Sequence, residues 1–321
     1  MDTNHAIVGF GISGMLVYLQ LIKKGVRPNN IIIFDPDFIG GDLARDYSSI
    51  NSNTTWSKIV EIFPEARTIF PDLDPDKITN LIYLPKILEH LVSRTIRDSE
   101  RSLTLVSSLE YKNNKWFINK GQHSAHSIYL CQGGSPKKQN IPGKFIPLHI
   151  ALDKDLLKRH VNIEDNYTIF GLSHSGTLVL KNLIDLGVKV SAIYKTPTPF
   201  QYARDGFYSG IKQESEHIAD SISSYPNVKL ISAYDITSIS QTLVKTNVFI
   251  NATGFEPRTL EIIVEDSVKS SLKYSPETAL LDECPRCYGF GMAYPSVSMI
   301  NDKKNVDISF AAFYSHISRI L

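Results

Sequence analysis

The sequence has 321 residues, of which 42% are hydrophobic and 21% charged, and its formal net charge is +1 with no block of like charges. This composition is typical of a globular protein with a full core and argues against a nucleic-acid or membrane surface, which would need clustered Lys and Arg. Only four residues precede the first predicted strand, no apolar run approaches a membrane span, and three cysteines are too few for a disulfide scaffold. We therefore expect no signal peptide and a cytoplasmic, reducing location.

The N-terminal segment predicts a strand, a glycine turn, a helix, a second strand and an acidic tip. Gly9 would end the strand in a tight turn, Gly11 would leave room for a pyrophosphate, and Gly14 would let the helix lie close to the sheet. Asp35, 21 residues after Gly14, is placed to accept hydrogen bonds from a ribose diol. The pattern predicts a dinucleotide site, with a glycine turn in some other α/β domain as the alternative.

The helix predicted from about Ser13 to Lys24 begins at this site, where its free N–H groups would face the pyrophosphate. Further on, the Gly40-Gly41 pair would let the backbone approach a flat ligand closely. Trp56 lies either against that ligand or in the core, and both alternatives stay open. Residues 64–80, rich in proline and acidic side chains, predict a surface loop.

Short alternating segments between 103 and 131 predict a small antiparallel meander with Asn113-Asn114 at a hairpin tip. Its strands are expected over four segments: 103–106, 109–111, 115–118 and 127–130. The last strand runs into Gly133-Gly134, where the backbone would pass close to the cofactor. Pro136 and the turn at 141–143 then predict a linker, and we expect a domain boundary near 145.

A variant of the opening pattern follows at 167–195, where a strand leads into Gly171-Leu-Ser173-His174-Ser175-Gly176 and an apolar helix. Ser173 replaces the middle glycine and is small enough to leave room for a phosphate. His174 either touches the cofactor or substrate or packs locally at the helix start. Two such units, with first glycines 162 residues apart by numbering (171 minus 9), predict a protein that binds two dinucleotides.

The two units differ at the end of the second strand. Asp35 suits an unsubstituted ribose, whereas Lys195 would attract a 2′-phosphate that an acid would repel. The second site is therefore predicted to take NADP, with NAD as the alternative. Arg204 is a second candidate for that phosphate, and both cations have the alternative of simple surface residues.

The chain then runs through a strand at 247–250 into Ala252-Thr253-Gly254. It is expected to return to the first unit at Gly289-Phe290-Gly291, followed by Met292, and to close with a helix at about 308–320.

These landmarks, in this order, resemble the flavoproteins with two dinucleotide-binding domains, of thioredoxin-reductase size. The sequence Ala252-Thr253-Gly254-Phe255 also looks like that of the flavin-containing and N-hydroxylating monooxygenases. The resemblance implies an α/β fold with two Rossmann-like domains, the NAD(P) domain being inserted in the FAD domain. It implies FAD binding by residues 1–145 and 252–321 and NAD(P)H binding by residues 146–251.

Taken together, the motifs and the resemblance predict eighteen cofactor-binding positions and no metal site. These are Gly9, Gly11, Ser13, Gly14, Asp35, Gly41, Trp56, Gly133, Gly171, Ser173, His174, Ser175, Gly176, Lys195, Arg204, Gly254, Gly291 and Met292.

Departures from the family pattern argue against a disulfide reductase. No cysteine follows Gly40-Gly41 before Cys131, and residues 146–251 contain none. Where many of these reductases have Gly-Asp late in the chain, this sequence has Gly291-Met292. The spacing of Cys284 and Cys287 permits a reactive dithiol, although buried or loop cysteines are favoured and zinc lacks a second ligand pair.

The expected function is oxidation of NADPH by an FAD-dependent oxidoreductase, most consistent with a monooxygenase acting on a small amine or sulfide nucleophile. One alternative is a reductase that passes electrons to a protein or small-molecule acceptor, and another is a non-catalytic nucleotide sensor. The expected partner is a small-molecule substrate. The sequence leaves the oligomeric state open, a homodimer included, and no side-chain acid or base is predicted to be catalytic.

Overall fold

A computed structural model describes residues 2–200, 211–269, 272–300 and 303–321. Within them the strands are β1 (Asp2–Val8), β2 (Ile31–Phe34), β3 (Asn51–Thr55), β4 (Ile78–Asn80), β5 (Glu100–Ser102), β6 (Ser108–Lys112), β7 (Lys115–Ile118), β8 (His123–Leu130), β9 (Gly134–Pro136), β10 (Lys144–Phe145), β11 (Asn166–Phe170), β12 (Lys189–Tyr194), β13 (Val228–Ser232), β14 (Val248–Asn251), β15 (Phe255–Pro257), β16 (Glu261–Val264), β17 (Ser267–Val268), β18 (Cys287–Gly289), β19 (Ser296–Ile300) and β20 (Lys303–Asp307). The helices are α1 (Ile12–Lys23), α2 (Gly41–Asp46), α3 (Trp56–Ile62), α4 (Ala66–Ile69), α5 (Tyr83–Val92), α6 (Leu148–Leu152), α7 (Lys154–Lys158), α8 (His174–Asp185), α9 (Ile211–Ser221), α10 (Ile236–Lys245) and α11 (Phe310–Ile320).

The larger sheet has nine strands, in the order β17-β16-β6-β7-β8-β1-β2-β5, with β18 also paired to β8. Its centre is parallel: β1 pairs with β2 and with β8, and β2 pairs with β5. The first half of β8 pairs antiparallel with β7, whereas its second half pairs parallel with β18, which comes from the C-terminal part of the chain. Residues on both sides of the middle of the sequence therefore build this one sheet.

The smaller sheet has five parallel strands, in the order β10-β14-β11-β12-β13, all from residues 144–251. The chain crosses between the two sheets twice, and the two crossings pair with each other as the antiparallel ribbon of β9 and β15. In this ribbon Glu256 lies opposite Ser135, and Pro257 lies opposite Gly134. Each sheet has its own hydrophobic core.

Helix α1 follows its predicted range and packs between the larger sheet and its neighbours. Met15, Val17 and Tyr18 are fully buried, and α1 contacts α5 and α11. The helix ends before Gly25, which adopts a positive φ of 85° that most other residues avoid. The apolar residues on most sides of this helix are thus explained by partners on several sides.

Two local predictions were wrong. The first strand predicted for the meander, at 103–106, is instead β5 at 100–102, which pairs parallel with β2, while Leu103 and Leu105 are exposed. Residues 64–80 include α4 and β4 rather than loop alone, because β4 pairs with β3. The hairpin tip at Asn113-Asn114 was predicted correctly, since both residues adopt positive φ values between β6 and β7.

Among the described residues, no helix has the length and apolar character needed to cross a membrane.

Candidate functional site: two glycine turns

The first turn joins β1 to α1 at the carboxyl edge of the larger sheet. Gly9 has φ +90°, and its N–H donates a 2.8 Å hydrogen bond to the carbonyl of Phe34 at the end of β2. A Cβ on Gly9 would lie 2.5 Å from the carbonyl oxygen of Cys131, and one on Gly14 would lie 2.1 Å from that of Gly9. Only glycine allows the strand, the helix and the end of β8 to approach this closely.

The second turn, between β11 and α8, repeats this geometry closely. Gly171 has φ +91°, and its N–H donates a 2.9 Å hydrogen bond to Ile193 at the matching point of β12. A Cβ on Gly171 would lie 2.6 Å from the carbonyl oxygen of Ala252, and one on Gly176 would lie 2.0 Å from that of Gly171. The two turns are therefore the same structural unit, although they lie in different sheets.

The middle position of each turn is open. Gly11 (φ −73°, ψ −161°) and Ser173 (φ −89°, ψ −159°) both precede their helix in extended backbone, and neither provides a side-chain cap. A Cβ on Gly11 would make only an ordinary contact, 3.5 Å from Cα of Gly41, and Ser173 is exposed. The fold therefore has room for a Cβ at Gly11 and for the side chain at Ser173, so the turn itself does not require glycine at either position.

Predicted residues from distant parts of the chain meet around the first turn. A Cβ on Gly41 (φ +72°) would lie 2.9 Å from Cα of Gly11, and one on Gly291 (φ +83°) would lie 2.1 Å from the hydroxyl of Ser13. Met292 lies beside Gly134, 3.4 Å from where a Cβ would be. This cradle of bare backbone beside the N-terminus of a long helix fits the diphosphate of a dinucleotide such as FAD.

Asp35 holds the turn after β2. Its Oδ2 accepts a 2.6 Å hydrogen bond from the N–H of Phe10, and its Oδ1 accepts bonds of 3.1 and 2.8 Å from those of Asp37 and Phe38. The residue is only 5% exposed. Since backbone donors occupy both oxygens, Asp35 shapes the loop, and its contact with a ribose stays a prediction.

The residue that matches Asp35 in the second unit is Tyr194, not Lys195. Phe34 and Ile193 are equivalent, because each receives the hydrogen bond of the first glycine, so the next residues are Asp35 and Tyr194. Lys195 follows and is exposed. The sequence-based prediction therefore placed the matching residue one position too late. The reason is that the segment between the glycine turn and the end of the second strand differs in length between the two units.

Trp56 is part of the core rather than of the open site. It is 2% exposed, and its ring packs edge-on against Phe70 and Tyr83 at centroid distances of 6.2 and 6.3 Å. We therefore leave Trp56 out of the proposed site.

The remaining predicted positions surround the two turns. His174 and Ser175 open α8 and are half-buried, and Gly133 (φ +69°) follows β8. Gly254 has φ +102°, with open space where a Cβ would point, and it immediately precedes β15. Arg204 lies outside the described residues.

Sequence reasoning missed an ion-pair cluster at the mouth of the first turn. Arg258, just after β15, forms an ion pair with Asp42 of α2, which also pairs with Arg45. Nη1 of Arg258 donates a 2.8 Å hydrogen bond to the carbonyl of Gln132. The only local signals were an acid directly after Gly41 and an arginine four residues after Gly254.

The three cysteines are free and buried, with exposures of 6% for Cys131, 3% for Cys284 and 0% for Cys287. Burial raises the pKa of Cys284 to about 11 and raises the pKa values of the other two thiols. A thiol with a raised pKa is protonated at neutral pH and is a poor nucleophile. The geometry therefore favours structural roles for Cys284 and Cys287, as predicted.

We expect none of the three thiols of the native protein to react rapidly with an aromatic disulfide reagent at pH 7.5. In denaturant all three thiols should react with the reagent, which gives the total number of reactive thiols as a reference. Rapid reaction of Cys284 and Cys287 before unfolding, lost after mild oxidation, would instead indicate an accessible dithiol.

Comparisons with known proteins agree with this architecture. No family model matches the chain. A curated relative, monooxygenase AgnR1 of Paecilomyces divaricatus, is 23% identical, and the alignment covers 98% of this chain and 96% of that protein.

Solved structures with the same fold are much less similar in sequence. The bacillithiol disulfide reductase Bdr of Bacillus cereus matches with a TM-score of 0.63 at 12% identity, covering 100% of this chain and 98% of that one. The thioredoxin reductase of T. acidophilum matches with a TM-score of 0.58 at 13% identity, covering 99% and 96%. The chain therefore shares the fold of these two structures, an α/β architecture with parallel sheets, as its motifs predicted.

Proposed function

We propose that the protein oxidises NADPH with FAD, which is bound at the first turn while NADPH binds at the second. The repetition of the turn carries this proposal: Gly9 and Gly171 share the same φ and the same close contacts, as do Gly14 and Gly176. Two such turns, each opening a 12-residue helix, supply two diphosphate sites in one chain. We assign FAD to residues 1–145 and 252–321, and NADPH to residues 146–251.

Bound FAD would accept a hydride from NADPH and transfer electrons onward. This chain would bind and orient the two cofactors, with α1 and α8 directing N–H groups at their diphosphates. The ribbon of β9 and β15 joins the two halves and helps set the distance between them. No titratable side chain is needed for the hydride step, so none is assigned to it.

For the second half of the reaction we favour a monooxygenase that acts on a small amine or sulfide. The name of the curated relative supports this choice. The burial of all three cysteines supports it too, because reduction of a disulfide by a protein thiol needs at least one accessible cysteine. The alternative is NAD(P)H-dependent transfer of electrons to a protein or small-molecule acceptor, and it is favoured because the two solved structures with this fold are named as reductases.

The decisive test is the fate of oxygen. The purified flavin-loaded protein should consume NADPH slowly in air, and a panel of small amines and sulfides should contain one that gains an oxygen atom from ¹⁸O₂. NADPH consumption that depends on an added electron acceptor, with no ¹⁸O in any product, would favour the reductase. A protein that binds neither nucleotide would contradict both.

Replacing Lys195 with alanine tests the preference for NADPH. The exposed ammonium follows the strand end at Tyr194, and no acid stands at either position to repel a 2′-phosphate. We expect the KM for NADPH to rise roughly tenfold, equivalent to ~1.4 kcal/mol, while the KM for NADH changes little. Lys189, exposed at the opposite end of β12, provides the control as Lys189→Ala. Equal changes for both nucleotides would remove the case for NADPH.

A further inference from the structure

We infer that Arg258 is a cofactor-binding residue that exchanges Asp42 for the diphosphate of FAD. The inference rests on the proposed function, because it assigns a ligand to a side chain beside the first turn. It goes beyond the glycine cradle, which supplies backbone N–H groups and no formal positive charge. A diphosphate carries negative charge that a nearby guanidinium would bind in a bidentate manner.

The backbone of Arg258 is held in place independently of its ion pair. Its carbonyl accepts a hydrogen bond from the side chain of Gln132, and its N–H donates a 3.4 Å hydrogen bond to the carbonyl of Gly133. Pro257, one residue earlier, pairs with Gly134 in the ribbon. The guanidinium can therefore change its partner while the main chain that carries it stays fixed.

The guanidinium lies at the first turn. Asp42 directly follows Gly41, whose Cβ would lie 2.9 Å from Cα of Gly11. On the other side, a Cβ on Gly133 would lie 3.5 Å from Nη1 of Arg258 and 3.8 Å from Oδ2 of Asp42. The ion pair thus sits between the two glycine segments that approach the predicted diphosphate site.

Asp42 can release Arg258 without becoming an unpaired charge, because its other oxygen is paired with Arg45. Arg45 also pairs with Asp37 and Asp46, which makes three acids for two arginines in this cluster. Arg258 is 41% exposed at its side chain, so its movement requires little desolvation. This arrangement places a cation at the mouth of the site, where the diphosphate of a bound ligand would replace Asp42 as its partner.

Opposite effects of two substitutions on FAD binding distinguish this role from a purely structural ion pair. Arg258→Gln removes the cation, and we expect the Kd for FAD to rise roughly ten- to hundredfold, as for loss of a charge-assisted hydrogen bond. Asp42→Asn removes the competing acid and leaves Arg258 free, so the Kd should stay the same or fall. In the flavin-free protein both variants should lose only a small amount of stability, and Asp42→Asn should lose slightly more because it also breaks the ion pair with Arg45.

The experiment removes flavin from the purified protein and titrates each variant with FAD while following flavin fluorescence. Arg286→Gln serves as the control, since this half-buried arginine binds Asn114 in the hairpin between β6 and β7, away from the first turn. The Arg258→Lys variant keeps the positive charge and should retain part of the affinity for FAD. It therefore tests the same role if the glutamine variant misfolds.

Three outcomes would overturn the inference: unchanged FAD affinity in Arg258→Gln, equal weakening in Asp42→Asn, or an effect confined to the KM for NADPH. If the wild-type protein binds no FAD, the proposed function itself fails. Normal FAD binding with insensitive variants defeats only the role of Arg258.

Discussion

Gly11→Ala is expected to fold normally and to lose FAD. Its backbone already has φ −73°, which alanine adopts freely, and the added Cβ would meet Cα of Gly41 at 3.5 Å. We expect the free energy of unfolding of the flavin-free protein to change by no more than about 1 kcal/mol. The same methyl group would occupy space that the diphosphate needs when it approaches the backbone. A steric overlap that costs ~3 kcal/mol of binding free energy would raise the Kd for FAD roughly hundredfold.

Gly14→Ala, three residues later, is the contrasting variant. Its Cβ would lie 2.1 Å from the carbonyl oxygen of Gly9, which is backbone and cannot rotate away. We expect it to destabilise the protein by about 3 kcal/mol or more, whether or not FAD is present. Thermal unfolding and FAD titration of both variants separate a glycine needed by the ligand from one needed by the fold. If Gly11→Ala bound FAD as tightly as the wild type, the first turn would not be the diphosphate site.

Ser173→Leu should leave FAD bound and abolish reduction by NADPH. Ser173 is exposed and extended, at φ −89° and ψ −159°, so a leucine fits without disturbing the turn. Its side chain would occupy the space above the N-terminus of α8, where the second diphosphate is proposed to bind. We expect the KM for NADPH to rise about a hundredfold or more, for the same steric reason as at Gly11.

Ser173→Gly is the matched control, because it restores the residue found at the equivalent position of the first turn. This variant should keep its affinity for NADPH within a few-fold of the wild type. Stopped-flow mixing with NADPH under anaerobic conditions measures both variants on the flavin absorption. Undiminished reduction in Ser173→Leu would contradict the placement of NADPH at this turn.

The turns themselves were predictable from the sequence because their geometry depends on backbone contacts that only glycine permits. An added Cβ would lie within 2.6 Å of a carbonyl oxygen at each of four glycines, so no other residue fits there: Gly9, Gly14, Gly171 and Gly176. The succession of strand, turn, helix and second strand in each unit followed, because two parallel neighbouring strands need a crossover, usually a helix.

Features that depend on tertiary packing were not predictable in the same way. Trp56 had equal reasons to stack on a ligand or to enter the core, and only its neighbours Phe70 and Tyr83 decide this. The carboxylate of Asp35 accepts hydrogen bonds from Phe10 in the first turn and from Phe38 in the loop after its own strand. The pair of Asp42 and Arg258 joins residues 216 positions apart, and no local pattern connects them.

The most direct measurement of the central claim is an anaerobic titration of the flavin-loaded protein with NADPH. If the two turns bind FAD and NADPH as proposed, one equivalent of NADPH should bleach the yellow flavin absorption, and Ser173→Leu should prevent this at the same concentration. A purified protein that takes up no FAD, or whose bound FAD is bleached by neither NADPH nor NADH, would contradict the account.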